Sequence, residues 1–185
     1  MRHLSNHRIR FLWQSVLGSF FVAILCGPGV AQQIPATQAP TLDGTTVSFP
    51  HEASGRPLLF VIGFSRKSSD QVEEWNKRLS PLYLKSTHVF YYQIADLTGA
   101  PSFTIKMILH GMRKQVPVEE QSRYVLIENN DDKWKSLVNY SDADDAYVVL
   151  TNPGGHVLWQ TRGPVTDAQI SALQTELTKV TPAHP

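Results

Sequence analysis

Leu58-Leu59-Phe60-Val61-Ile62-Gly63-Phe64 is an unbroken apolar run. A strand with such a run, instead of an apolar and polar alternation, has both faces covered, as in a parallel sheet flanked by helices. The run therefore predicts the central strand of an α/β domain.

The segments on either side fit round it. From Asp70, the residues Val72, Trp75 and Leu79 recur at helical spacing with Glu73, Glu74, Lys77 and Arg78 between them, which predicts an amphipathic helix. Pro81 should end or kink it. The aromatic and β-branched stretch from Val89 to Ile94 predicts a second strand. A helix is expected over about residues 102–114, with Phe103, Met107, Ile108 and Met112 on its apolar side. A short strand over residues 124–127 and two helical turns over residues 131–138 follow. Tyr147-Val148-Val149-Leu150 and Val157-Leu158-Trp159 flank Asn152-Pro153-Gly154-Gly155, where Pro presets φ and Gly accepts positive φ, so this is a hairpin. The last helix begins at Thr166 with a Thr-x-x-Gln capping box to Gln169, and Ile170, Leu173, Leu177 and Val180 form its apolar stripe.

At the other end, Arg2, Arg8 and Arg10 precede an apolar stretch from Phe11 to Leu25, and Gly29-Val30-Ala31 supplies small residues. These are the parts of a secretory signal peptide over residues 1–31, with cleavage expected after Ala31. The stretch is short for a membrane span, which leaves an uncleaved anchor as the alternative. A mitochondrial presequence fits less well, because residues 20–25 are apolar all round instead of amphipathic. Cys26 invites a lipoprotein reading, but Leu25 is bulky where a small residue is needed. Residues 32–41 mix Pro with small polar residues and read as a flexible tether, so the folded domain is expected over residues 42–181.

The whole chain has 17 Lys and Arg against 16 Asp and Glu. The leader carries three of the basic residues and none of the acids, so the exported product is slightly acidic, which excludes a nucleic-acid binder of the usual kind. Cys26 is the only cysteine and leaves with the leader. An exported protein would keep disulfides, but this one has none to form.

Strand, helix, strand, helix, an insert over about residues 115–145, a β-hairpin and a closing helix is the order of the thioredoxin core. The fold expected is thus α/β and thioredoxin-like, a central mixed sheet flanked by helices. In that outline chemistry lies where the first central strand turns into the first helix, since the helix N-terminus lowers a thiol pKa. That turn reads Phe64-Ser65-Arg66-Lys67-Ser68-Ser69-Asp70-Gln71. A Cys-x-x-Cys pair would align with Ser68 and Gln71, which instead spell a capping box. A serine nucleophile at Ser68 would need a base and oxyanion donors, and no G-x-S-x-G elbow is present. Thiol oxidoreductases of this fold also place a cis-proline before the hairpin, whereas the approach here is Asp142-Ala143-Asp144-Asp145-Ala146.

The second half resembles the mitochondrial ATP synthase assembly factor ten family, thioredoxin-like chaperones for a membrane subunit of the proton channel. Carrying the likeness, over roughly residues 58–177, are Met112-Arg113-Lys114-Gln115-Val116-Pro117, Tyr124, the hairpin with Trp159 and Gly163, Phe64-Ser65-Arg66 and Trp75. Leu158 and Asn152-Pro153 depart from it, standing where the family has an Arg and an acidic turn residue. The resemblance implies a noncatalytic binding role toward a protein client, with a membrane-complex subunit such as one of ATP synthase as the named example.

His51, His88, His110, His156 and His184 show no helical metal-site spacing, and Asp131-Asp132 with Asp142, Asp144 and Asp145 lack the EF-hand glycine and distal glutamate. No metal, cofactor or catalytic residue is expected. Trp134, flanked by Lys133 and Lys135, is the candidate for an exposed partner contact. Arg66, Lys67, Ser68, Ser69, Arg113 and Trp159 complete the candidate partner-binding set. Asn139-Tyr140-Ser141 is a glycosylation sequon in a eukaryotic host. The leading expectation is a redox-inactive, thioredoxin-like envelope protein that binds a protein client, with peripheral or transient membrane association. The alternatives are an enzyme with a cysteine-free site around Ser68, and a small-molecule-binding domain using a groove beside Phe64 and Trp159.

Overall fold

β3 (Leu58–Gly63) takes the central place that its apolar run predicts, with Leu58 through Ile62 fully buried. The computed structural model describes residues 32–180, and the expected leader, with Cys26, lies outside the described residues. Along the chain stand β1 (Thr37–Pro40), β2 (Thr46–Phe49), β3, α1 (Ser69–Tyr83), β4 (Phe90–Asp96), α2 (Ser102–Gln115), β5 (Tyr124–Ile127), α3 (Asp131–Leu137), β6 (Ala146–Thr151), β7 (Val157–Arg162) and α4 (Asp167–Val180). The main sheet is mixed, in the order β5-β4-β3-β6-β7. β4 lies parallel to both β3 and β5, while β6 is antiparallel to both β3 and β7. The expected insert is therefore part of the sheet, because β5 extends it beyond β4.

Alternate residues of β3 point to opposite faces. Leu59 and Val61 join Tyr91, Val148 and Leu150 beneath α1 and α4, which contribute Val72, Trp75, Leu79, Ile170, Leu173 and Leu177. Trp75 also donates its indole N–H to the carbonyl of Gly163 at 2.8 Å, so the largest side chain of α1 is both packed and satisfied. Pro81 sits inside the last turn of α1, and the helix closes at Tyr83. The capping box at α4 forms in both directions, Gln169 N–H to Thr166 Oγ1 and Thr166 N–H to Gln169 Oε1.

On the other face, Leu58, Phe60 and Ile62 meet Tyr92, Ile94 and Tyr147 beneath a cover that the sequence did not suggest. Residues 32–41, expected as a tether, are an ordered part of the domain. β1 pairs antiparallel with β2, Ile34 is 3% exposed, and the backbone of residues 32–34 bonds to Gly155 and Val157. A few anchored side chains and a strand partner order a segment that has no apolar period of its own. Gly155 has φ +81° and a Cβ there would stand 2.9 Å from Ile34, so glycine is required for both the turn and the close approach.

Trp134 belongs to this cover as well. It is 1% exposed, edge-on to Phe49 and Phe60, and donates its indole N–H to Thr37 Oγ1 at 3.1 Å. Trp134 is therefore not a partner contact, and the lysines on either side of it in the short helix α3 merely bracket a core side chain. Phe103 and Met107, placed on the apolar side of α2, are 83% and 71% exposed. At 3.6 residues per turn they lie across the helix from Leu109 and Met112, which pack on Leu42, Leu97 and Leu126.

Truncating Trp134 to alanine should lower the unfolding free energy by about 3–5 kcal/mol, as for other large aromatic deletions in a core. Chemical denaturation checks it, and a loss near zero would contradict the buried placement.

Candidate functional site

The C-terminal ends of β3 and β4 and the starts of the segments after them form the crevice where open α/β sheets bind ligands. The helical path there begins earlier than expected. A 3-10 turn, Arg66–Ser68, leads directly into α1, so its N-cap is Ser65, whose side chain accepts from Lys67 N–H at 3.0 Å. The Ser-x-x-Gln capping box at Ser68 and Gln71 does not form, since Ser68 makes no cap bond and is fully buried. Ser68 Oγ donates to the Ser65 carbonyl at 2.9 Å. The pair at the head of the helical path is thus Ser65 and Ser68. Ser68's partner is a carbonyl, not a base, and its burial removes it from the partner-binding candidates.

The approach to β6 is bound to this turn at three points. Ser65 Oγ donates to the Ala143 carbonyl at 2.6 Å, Ala146 N–H donates to Gln71 Oε1 at 3.1 Å, and Lys67 Nζ lies 3.6 Å from Asp144. The last pair is largely exposed and contributes little. The approach is also held from within, because the Tyr147 hydroxyl accepts from Ser141 N–H and Asp142 N–H and donates to the Asp142 carbonyl. No proline is present there, and the one cis peptide among the described residues is Phe49-Pro50.

Beside the turn lies a cavity of about 500 Å³, floored by Gly63, Ala95 and Leu97 and walled by Ile108 and Met112 of α2. Arg66 and Ser69 stand at its rim, and Asp96 is part of its lining. Asp96 is nearly covered and faces Lys135 Nζ at 3.7 Å. Lys135 also hydrogen-bonds Asp131 and lies over the rings of Tyr140 and Phe64 at 5.2 and 5.8 Å. That hydrogen bond holds the Asp131 carboxyl below its usual value and raises the Lys135 ammonium above its own.

Of the sequence candidates, Arg66 and Ser69 meet at this cavity. Arg113 does not join them, since its Nε donates to the Leu42 carbonyl at 2.8 Å. Trp159 is half-buried against the core beneath α1 and α4, whereas Phe64 belongs to the opposite core, so no groove lies between them. Gly63, Ala95 and Asp96 were not singled out from the sequence, and Met107 only as part of the apolar side of its helix. Gly63 carried a signal, as a glycine ending a central strand marks close approach, and a Cβ there would stand 3.0 Å from both Ser68 Oγ and Val72 Cγ2.

No family model and no curated sequence matches this chain. Solved structures do. The exposed lipoprotein thioredoxin of Streptococcus pneumoniae superposes with a TM-score of 0.56 at 9% identity, over 78% of this chain and 99% of the other. The thioredoxin domain of a thiol-disulfide oxidoreductase from Bacteroides vulgatus gives 0.55 at 13% identity, over 80% and 96%. The fold is thioredoxin-like. A Sco-family cytochrome c oxidase assembly protein, in which a disulfide switch was identified, gives 0.52 at 12% identity, over 80% and 95%. In this thioredoxin-like fold, described residues 32–180 hold no cysteine at the strand-to-helix turn or elsewhere. No described helix is long and apolar enough to cross a membrane.

Two outcomes are expected. Gly63→Ala should destabilise by about 1–3 kcal/mol through overpacking, while Gly111→Ala, which meets nothing within 4 Å, should be neutral or slightly stabilising in the same denaturation experiment. Lys135→Met should lower stability near neutral pH by on the order of 1 kcal/mol. Because the Asp131 pKa is depressed, its contribution is complete above the unfolded carboxyl value and fades as pH falls through the folded one. The gap between wild type and Lys135→Met should therefore close below about pH 4, and a gap that widened on acidification would contradict the pairing.

Proposed function

We propose that this chain is a redox-inactive, non-enzymatic thioredoxin-like protein of the cell envelope that binds a protein client during assembly of a membrane complex. The observation that carries the reading is the turn itself. At the strand-to-helix turn, which holds no cysteine, Ser65 and Ser68 are engaged with a backbone carbonyl each, and the loop facing them is bound to the turn. A hydroxyl whose partner is a carbonyl is not activated for attack, which tells against the alternative of a serine-based enzyme.

What the arrangement offers instead is a preformed, mostly apolar cavity with the charged group Arg66 at its rim. An apolar side chain of a client, with a carboxylate placed to meet Arg66, suits its chemistry. The envelope location rests on the leader reading of residues 1–31 and agrees with the exposed lipoprotein thioredoxin among the structural neighbours. The assembly role rests on the family resemblance, and one neighbour is itself an assembly protein of a membrane complex. The resemblance nominates a membrane subunit of ATP synthase as the first client to test.

Full-length protein carrying Cys26→Ser should reduce insulin disulfides no faster than buffer. A photo-crosslinking residue in place of Arg66 should capture one reproducible envelope protein, and Gly111→Trp, which fills the cavity, should abolish that capture. Measurable disulfide turnover, or capture unaffected by filling the cavity, would overturn the proposal.

A further inference from the structure

α2 is the one long helix of the domain with no fully buried residue. Its inner face, Ile108, Leu109 and Met112, packs on Leu42, Leu97 and Leu126. Its outer face presents Phe103 and Met107 to solvent, the two most exposed large apolar side chains of any described α-helix. Around them at helical spacing stand Lys106, His110 and Lys114, all exposed, with Arg113 at the edge.

The charge of this helix is one-sided. Residues 102–115 contain three Lys and Arg and no Asp or Glu, although acids exceed basic residues over the described part of the chain. The nearest acids on either side, Asp96 and Glu119, lie outside the helix, and Asp96 faces Lys135. Two apolar knobs ringed by positive charge, on a helix lying along the surface of a domain, match the interface of an anionic bilayer. The knobs enter the headgroup region while the lysines meet lipid phosphates.

We infer that the outer face of α2, Phe103 and Met107 with Lys106, His110 and Lys114, docks this domain peripherally on an anionic phospholipid surface. This face differs from the cavity proposed for the client, sharing only Met107 at the rim, so either proposal can fail without the other.

The test uses the full chain with Cys26→Ser and Ser102→Cys, an exposed position beside Phe103 and outside the named face, the new thiol carrying a polarity-sensitive dye, so that the readout reports this helix and not the leader. Vesicles of phosphatidylcholine and phosphatidylglycerol at 7:3 should shift the dye emission to the blue, and pure phosphatidylcholine should not. Phe103→Ser with Met107→Ser should weaken the half-saturating lipid concentration at least about tenfold, Lys106→Gln or Lys114→Gln about fivefold each, and high salt should reverse the shift. The same dye at Ser171→Cys, on the exposed side of α4, should stay unshifted. Four outcomes would overturn the inference: no shift with anionic vesicles, an equal shift with neutral ones, an equal shift at position 171, or a shift produced by an acidic amphipathic peptide but not by vesicles.

Discussion

Burial of β3 on both faces is the constraint from which the rest of the molecule follows. A strand with Leu58 through Ile62 fully buried must be paired along both edges and covered above and below. Parallel pairing with β4 requires a crossover, which α1 supplies, and the hairpin of β6 and β7 completes the other edge. α1 and α4 cover one face with apolar stripes that obey helical periodicity. The other face is covered by the β1-β2 ribbon and α3, elements too short to bury much alone, which is why Trp134, Phe49 and Phe60 meet edge to face there.

This division explains which parts could be read from the sequence. The apolar run of β3, the periodic helices and the Pro-Gly hairpin turn state their structure locally, and each appears where the pattern placed it. Ile34, Ala39 and Thr37 do not state theirs. Their order depends on partners at residues 46–49, 134 and 155–157, contacts that leave no period in a short Pro-containing stretch. Trp134 misled for the same reason, since flanking lysines resemble an exposed setting although a helix can bury one side chain between an exposed lysine, Lys133, and a half-buried one, Lys135.

The site was half legible. The strand-to-helix turn stands where the order of elements put it, because turns at the middle of such a sheet are set by topology. The register was three residues late, since the 3-10 turn from Arg66 to Ser68 has no periodicity of its own and only the N-cap bond of Ser65 reveals where the helical path begins. Asp96 and the floor of the cavity come from the next strand, and only three-dimensional pairing brings Gly63 beside Ala95. Phe103 and Met107 show the limit of periodicity from the opposite side, for an apolar residue at helical spacing identifies a face but not the direction that face looks.

Ser65 and Ser68 set how this turn responds to its surroundings. Sulfur at such a position exchanges electrons with whatever thiols are present, so its geometry follows the prevailing glutathione or oxidase poise. Oxygen does not. A turn held by two hydroxyl groups offers no sulfur for that exchange, so neither an oxidising nor a reducing compartment acts on its geometry by this route.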